Sequence, residues 1–149
     1  SVLYWTQHSK SIKSMSDGCI FCRIVAGEIP CHKLAENDHA LAFLDIMPLS
    51  EGHTLVIPKK HAQKVHEMDE ESVKGVSLLL RRVAAVVGGE NYNVLQNNGQ
   101  GAGQEVLHAH FHIIPKQTSG SGLQVKWNAG ETNHPHLAAL AERFSKALQ

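Results

Sequence analysis

Two periodicities divide the chain. From Val73 onward, Val76, Leu80, Val83 and Val87 recur at three- and four-residue steps, the spacing of one helical face. Asp69 stands before this run as an N-cap, with Glu70 and Glu71 in the first turn and Gly88-Gly89 as the stop. Elsewhere apolar and β-branched residues gather in short runs between turn residues. His32 to Ala35, Ala40 to Asp45, Thr54 to Ile57 (closed by Pro58), Tyr92 to Gln96 and Val106 to Ile114 (ended by Pro115) are predicted strands. Ile20 to Ala26 is a predicted short helix ended by Gly27. A last helix opens near Thr132 or Asn133, with Pro135 in its first turn and an apolar stripe of Leu137, Leu140, Phe144 and Leu148. Strands in series with inserted helices predict an α+β fold on an antiparallel sheet.

One predicted strand carries chemistry. Leu107-His108-Ala109-His110-Phe111-His112-Ile113 alternates strictly. Successive strand residues point to opposite faces. Leu107, Ala109, Phe111 and Ile113 are therefore expected to enter a core, and His108, His110 and His112 to share the other face. Such a row can bind a metal, pass protons, or attack a phosphorus centre with one ring while the others hold charge. A glycine-rich loop, Asn97 to Gln104, precedes it. Gly99, Gly101 and Gly103 let backbone N–H groups approach an anion, which makes the loop a candidate phosphate cradle.

Composition narrows the setting. The 149 residues suit one domain, and 42% are hydrophobic. Formal net charge is zero with histidine neutral, so no global field recruits nucleic acid or an anionic membrane. No apolar stretch is long enough to span a bilayer. Residues 1–16, with Lys10, Lys13 and several hydroxyls, read as a disordered tail ahead of a domain over 17–149, and Met15 is a candidate initiator. The faint transit-peptide flavour of this tail leaves mitochondrial targeting open. Cysteine is an odd three, which argues against a secreted disulfide scaffold and for a reducing compartment, cytoplasmic and also nuclear. Cys19-Ile20-Phe21-Cys22 is a C-x-x-C pair. Zinc needs two more ligands, for which His61 and His108 are candidates. A redox pair is the alternative, without the preceding strand that it usually follows.

From Gly18 to Lys116 the chain resembles the histidine triad (HIT) family, in its Hint branch and especially its fungal adenosine 5′-monophosphoramidases. The motifs are Cys19-Ile20-Phe21-Cys22-Arg23-Ile24, Ala42-Phe43-Leu44-Asp45-Ile46, Gly52-His53-Thr54-Leu55-Val56-Ile57-Pro58, Asn97-Asn98-Gly99 and His108-Ala109-His110-Phe111-His112-Ile113-Ile114-Pro115. The resemblance implies a five-stranded sheet with a central and a C-terminal helix, joined to its copy across a homodimer. It implies a site for a purine nucleoside monophosphate or phosphoramidate in each subunit. His110 would be the nucleophile on the α-phosphate, His112 a phosphate contact, and His53 a neighbour orienting the triad. Asp45 would bind the ribose, with Phe43, Leu44 and Ile46 around base or ribose and Phe21 and Ile29 walling the base. Asn97, Gly103, Gln104, Glu105 and Val106 would line the phosphate side. Cys19, Cys22, His61 and His108 would hold a structural zinc, with no metal required at the reacting phosphorus.

Glu105 departs from many animal relatives, which have serine there. The implied activity is hydrolysis of a P–N bond through a nucleotidyl–histidine intermediate. The alternatives are dinucleoside polyphosphate hydrolysis, nucleotidyl transfer, a non-catalytic nucleotide-binding or scaffold protein, and a zinc-only structural module. Trp127 is expected in ordinary packing, with contact to the leaving group as its second reading.

Overall fold

A computed structural model describes residues 18–149; the predicted tail and Met15 lie outside the described residues. Five strands, β1 (Lys33–Glu36), β2 (Ala40–Leu44), β3 (Thr54–Pro58), β4 (Tyr92–Gln96) and β5 (Phe111–Pro115), form one antiparallel sheet in the order β1-β2-β3-β5-β4. Among the described residues three α-helices accompany it: α1 (Ile20–Val25), α2 (Glu70–Val87) and α3 (His134–Ala147). The predicted α+β class holds.

Both faces of the sheet centre are covered. Leu41, Phe43, Leu55 and Ile57 meet Phe21 and Ile24 of α1, together with Ile29. Ala40, Ala42, Val56 and Ile113 meet Val76, Leu79, Val83 and Ala84 of α2. Every residue of β3 is therefore buried, which explains why its sequence shows an unbroken apolar run rather than alternation. Each fully buried Val, Leu or Ile contributes roughly 1.5–3 kcal/mol of transfer free energy. Gly75 lets α2 approach closely, since a Cβ there would lie 2.7 Å from the Cβ of His39. The Gly75 carbonyl accepts from Asn37 Nδ2 at 2.9 Å. Asp69 caps α2 by accepting the Ser72 N–H at 2.8 Å. The Ser72 bonds, with help from Lys60, hold the Asp69 carboxyl far below its usual range.

Three expectations change. The helical face of α2 is rotated: Leu79 is buried, Leu80 half-buried and Val73 exposed. β5 starts at Phe111, not Val106. Leu107 is exposed rather than in the core, while His108, Ala109 and His110 are buried on irregular backbone. The ladder ends physically. β3–β5 pairing stops at Val56↔Phe111; beyond it Pro58 has no N–H to give, and its carbonyl takes the His108 ring instead. Finally, α3 buries none of its residues, and Trp127 is 88% exposed. The apolar stripe of α3 exists, but none of the described residues covers it. Among the described residues no helix is long and apolar enough to cross a membrane.

Candidate active site and metal centre

The backbone between Leu107 and Phe111 splits the three histidines between two neighbouring centres. His108 turns toward Cys19, Cys22 and His61. His110 and His112, with ring centroids 5.0 Å apart, turn into a cavity of about 280 Å³. Ala109 anchors the segment by giving its N–H to the Ala62 carbonyl at 2.7 Å.

At the first centre, Cys19 Sγ lies 3.2 Å and Cys22 Sγ 3.6 Å from His108 Nδ1. His61 Nδ1 lies 3.2 Å from His108 Nδ1 and 3.3 Å from Cys22 Sγ. The four ligand atoms all fall within 4.8 Å of one another. His108 donates its Nε2–H to the Pro58 carbonyl at 2.9 Å, which leaves the Nδ1 lone pair aimed at the cluster. Two thiols and two imidazoles suit a tetrahedral zinc ion. Burial pushes the Cys22 thiol up to about 12, with Cys19 adding to it. Burial also pushes His108 down to about 4, with His61 and His110 adding against the Pro58 bond.

At the second centre the protons sit differently. His110 gives its Nδ1–H to the His108 carbonyl at 2.7 Å. Its Nε2 is therefore the bare, nucleophilic nitrogen. Leu49 donates its N–H to His53 Nδ1 at 3.0 Å, so His53 carries its proton on Nε2. That nitrogen lies 2.9 Å from His112 Nδ1 and 3.6 Å from Asp45 Oδ2. His112 accepts at Nδ1 and holds its own proton on Nε2. Asp45, His53 and His112 also lie within ligand distance of one another, but these hydrogen bonds occupy both nitrogens of His53 and the Nδ1 of His112. The cluster is a hydrogen-bonded chain of fixed tautomers.

Burial lowers the pKa of all three rings. For His110 the His108 carbonyl, Asp45 and Glu105 oppose the shift. For His53 Asp45 opposes it. His112 falls to about 3, with the neighbouring His110 and His53 adding to burial. The imidazoles are thus neutral near pH 7.

Asp45, His53, Asn97, Gly103, Glu105, Val106, His110, His112 and Phe21 line the cavity. Ile29 and Phe43 lie in the core cluster that contains Phe21, off the cavity wall, and Ile46 packs against that cluster. Leu44, at the end of β2, is half-buried and also off the wall. Gln104 is buried and scaffolds the loop: its Oε1 accepts from Gly99 N–H at 2.7 Å, and its Nε2 donates to the Gln63 carbonyl at 2.7 Å. Of the three loop glycines only Gly103 reaches the cavity.

The wall also holds Leu55, Leu95 and Ile114, which sequence reasoning missed. Register was the signal: Leu55 and Leu95 flank His112 on the two neighbouring strands, and Ile114 follows it by two. Met47 and Leu49, on the loop after Asp45, complete the wall. Among the described residues no lysine or arginine lines the cavity, whereas two carboxylates, Asp45 and Glu105, do.

A model of the HIT domain family matches residues 26–119. An adenosine 5′-monophosphoramidase of Schizosaccharomyces pombe is 52% identical, covering 88% of this chain and 98% of that protein. One of Saccharomyces cerevisiae is 43% identical, covering 100% and 95%. Among solved structures, a histidine triad nucleotide-binding protein from Candida albicans has a TM-score of 0.83 at 41% identity, covering 87% of this chain and 96% of that one. A hypothetical protein from Leishmania major has a TM-score of 0.83 at 50% identity, covering 90% and 98%.

Proposed function

The chain belongs to the HIT domain family, and on that premise we propose that it is a purine nucleoside phosphoramidase working through a nucleotidyl–His110 intermediate. One observation carries the reading: His110 lines the cavity with Nδ1–H spent on a carbonyl and Nε2 bare. Nε2 bonds to the α-phosphorus as the P–N bond breaks, and the amine leaves with a proton taken from solvent, which the water of the second step returns. Water then attacks the same phosphorus, the P–Nε2 bond breaks, and the nucleoside monophosphate departs. The His112 Nε2–H faces the charge that grows on the phosphate oxygens. His53 is a positioning residue that keeps His112 in that tautomer. The near-relatives named adenosine 5′-monophosphoramidase support adenosine as the nucleoside.

The wall chemistry favours this reading over polyphosphate hydrolysis. A cavity with two carboxylates and, among the described residues, no lysine or arginine suits one phosphate far better than a polyphosphate chain. Zinc, if held by Cys19, Cys22, His61 and His108, would cross-link three segments of the chain and serve structure.

A homodimer is part of the proposal. β4 is an edge strand with Tyr92 and Val94 exposed, and such an edge is a template for pairing. The uncovered stripe of α3 gives a second surface for the partner to cover. Hydrolysis of adenosine 5′-phosphoramidate by wild type and His110→Ala, read by nucleotide chromatography, tests the function. AMP release by wild type alone is expected; equal release by a well-folded variant overturns it.

A further inference from the structure

Phe21 belongs to both centres at once. It lies between Cys19 and Cys22 in sequence, and it forms part of the cavity wall. Its ring, 1% exposed, meets His108 edge-on at 5.8 Å between centroids and His110 edge-on at 5.2 Å. Two further links run the same way. The His108 carbonyl holds the His110 Nδ1–H. The carbonyl of Ala62, next to His61, holds the Ala109 N–H.

We propose that metal occupancy at Cys19, Cys22, His61 and His108 and nucleotide binding beside His110 are positively coupled, with Phe21 the positioning residue that carries the coupling. The proposal rests on the cavity being a nucleotide site. The four ligands come from three segments: the start of α1, the chain after β3 and the chain before β5. α1 has only six residues, too few to hold its shape unaided. Its N-cap is the Cys19 thiol, which accepts the Cys22 N–H at 3.4 Å. A cation gripping all four ligands fixes the relative places of Phe21 and His108. A nucleotide then enters a wall already ordered and avoids the entropic cost of ordering it. Linkage demands the reverse with the same factor: nucleotide bound at the cavity tightens the metal.

The test uses the full chain, with zinc ion and AMP as probes. Zinc affinity is measured by chelator competition with and without saturating AMP. AMP affinity is measured by calorimetry on zinc-loaded and stripped protein. Each ligand is expected to strengthen the other by the same factor, roughly 5- to 50-fold. Phe21→Leu is expected to keep zinc affinity within about threefold and to reduce the coupling below about twofold; Phe21→Met repeats the test should leucine fail to fold. A variant that merely loosens the fold weakens both ligands and leaves their ratio unchanged, which overturns the role of Phe21. Wild type that binds both ligands with a coupling factor of one overturns the inference while the nucleotide reading stands. Zinc binding without AMP binding overturns that reading, and AMP binding without zinc binding overturns the metal centre and the coupling with it.

Discussion

His108 and His110 are separated by one alanine and are almost equally buried, at 0% and 6% exposure. Each gives one ring proton to a main-chain carbonyl, but from opposite nitrogens: Nε2 to Pro58 for His108, Nδ1 to His108 for His110. What remains bare is Nδ1 among thiols in one case and Nε2 beside a cavity in the other. Residue type and burial do not distinguish the two rings; the carbonyl that each ring finds decides which nitrogen is left bare, and on that difference the proposed roles of metal ligand and nucleophile rest. Had β5 continued through residue 108, both rings would share one face and one environment. The early end of the ladder at Phe111 is what separates the two environments.

The comparison breaks most visibly on the His110 side. His110→Ala is expected to lower turnover by at least ~10³-fold while AMP binding and Tm stay near wild type; a loss below tenfold would show that another group attacks. His108→Ala keeps the main-chain carbonyl, and therefore the His110 tautomer. Its loss is expected in zinc binding and in about 2–4 kcal/mol of stability, read by denaturant unfolding. Next comes His53→Ala, which frees His112 Nδ1 from its partner. A drop of roughly 10- to 100-fold in kcat with little change in fold is expected, and ¹⁵N chemical shifts of the His112 ring should show mixed tautomers.

The smallest effect is on pH. Burial and the neighbouring imidazoles hold His112 down to about 3, against an ordinary value of 6.5. Between those values the folded chain binds fewer protons than the unfolded one. Stability is therefore fully present above about pH 6.5 and falls as pH drops toward 3. The nucleotide-free protein should lose roughly 1–2 kcal/mol from this ring between pH 7 and pH 5, and His112→Asn should flatten that slope. Urea titrations at the two pH values measure it, and parallel curves for variant and wild type would remove His112 from the account.

Much of the frame was legible. β3, β4 and α2 fall within a residue or two of their expected bounds, because buried runs, turn residues and the Asp69 cap are local signals. The histidine strand was over-extended, since alternation from Leu107 to Ile113 looks the same whether or not a partner strand is present. What ended it was Pro58, 50 residues from His108. The apolar stripe on α3 was legible, but what covers it was not, because periodicity reports a face and not its partner. Cys19 and Cys22 announce themselves by spacing. His61 and His108 could be offered only as candidate partners, which the family resemblance then also implied, because their meeting with the cysteines depends on how three segments pack. Leu55 and Leu95 were missed because cavity walls follow cross-strand register, which a single chain does not display.

The account turns on the bare Nε2 of His110 becoming bonded to phosphorus. Wild-type protein mixed with adenosine 5′-phosphoramidate, quenched within milliseconds and digested, should yield an adenylylated peptide carrying the adduct on His110. The adduct should form and decay at rates that account for AMP release, and it should be absent from His110→Ala. AMP release by wild type with no adduct at His110 at any time, together with turnover that survives His110→Ala, would contradict it.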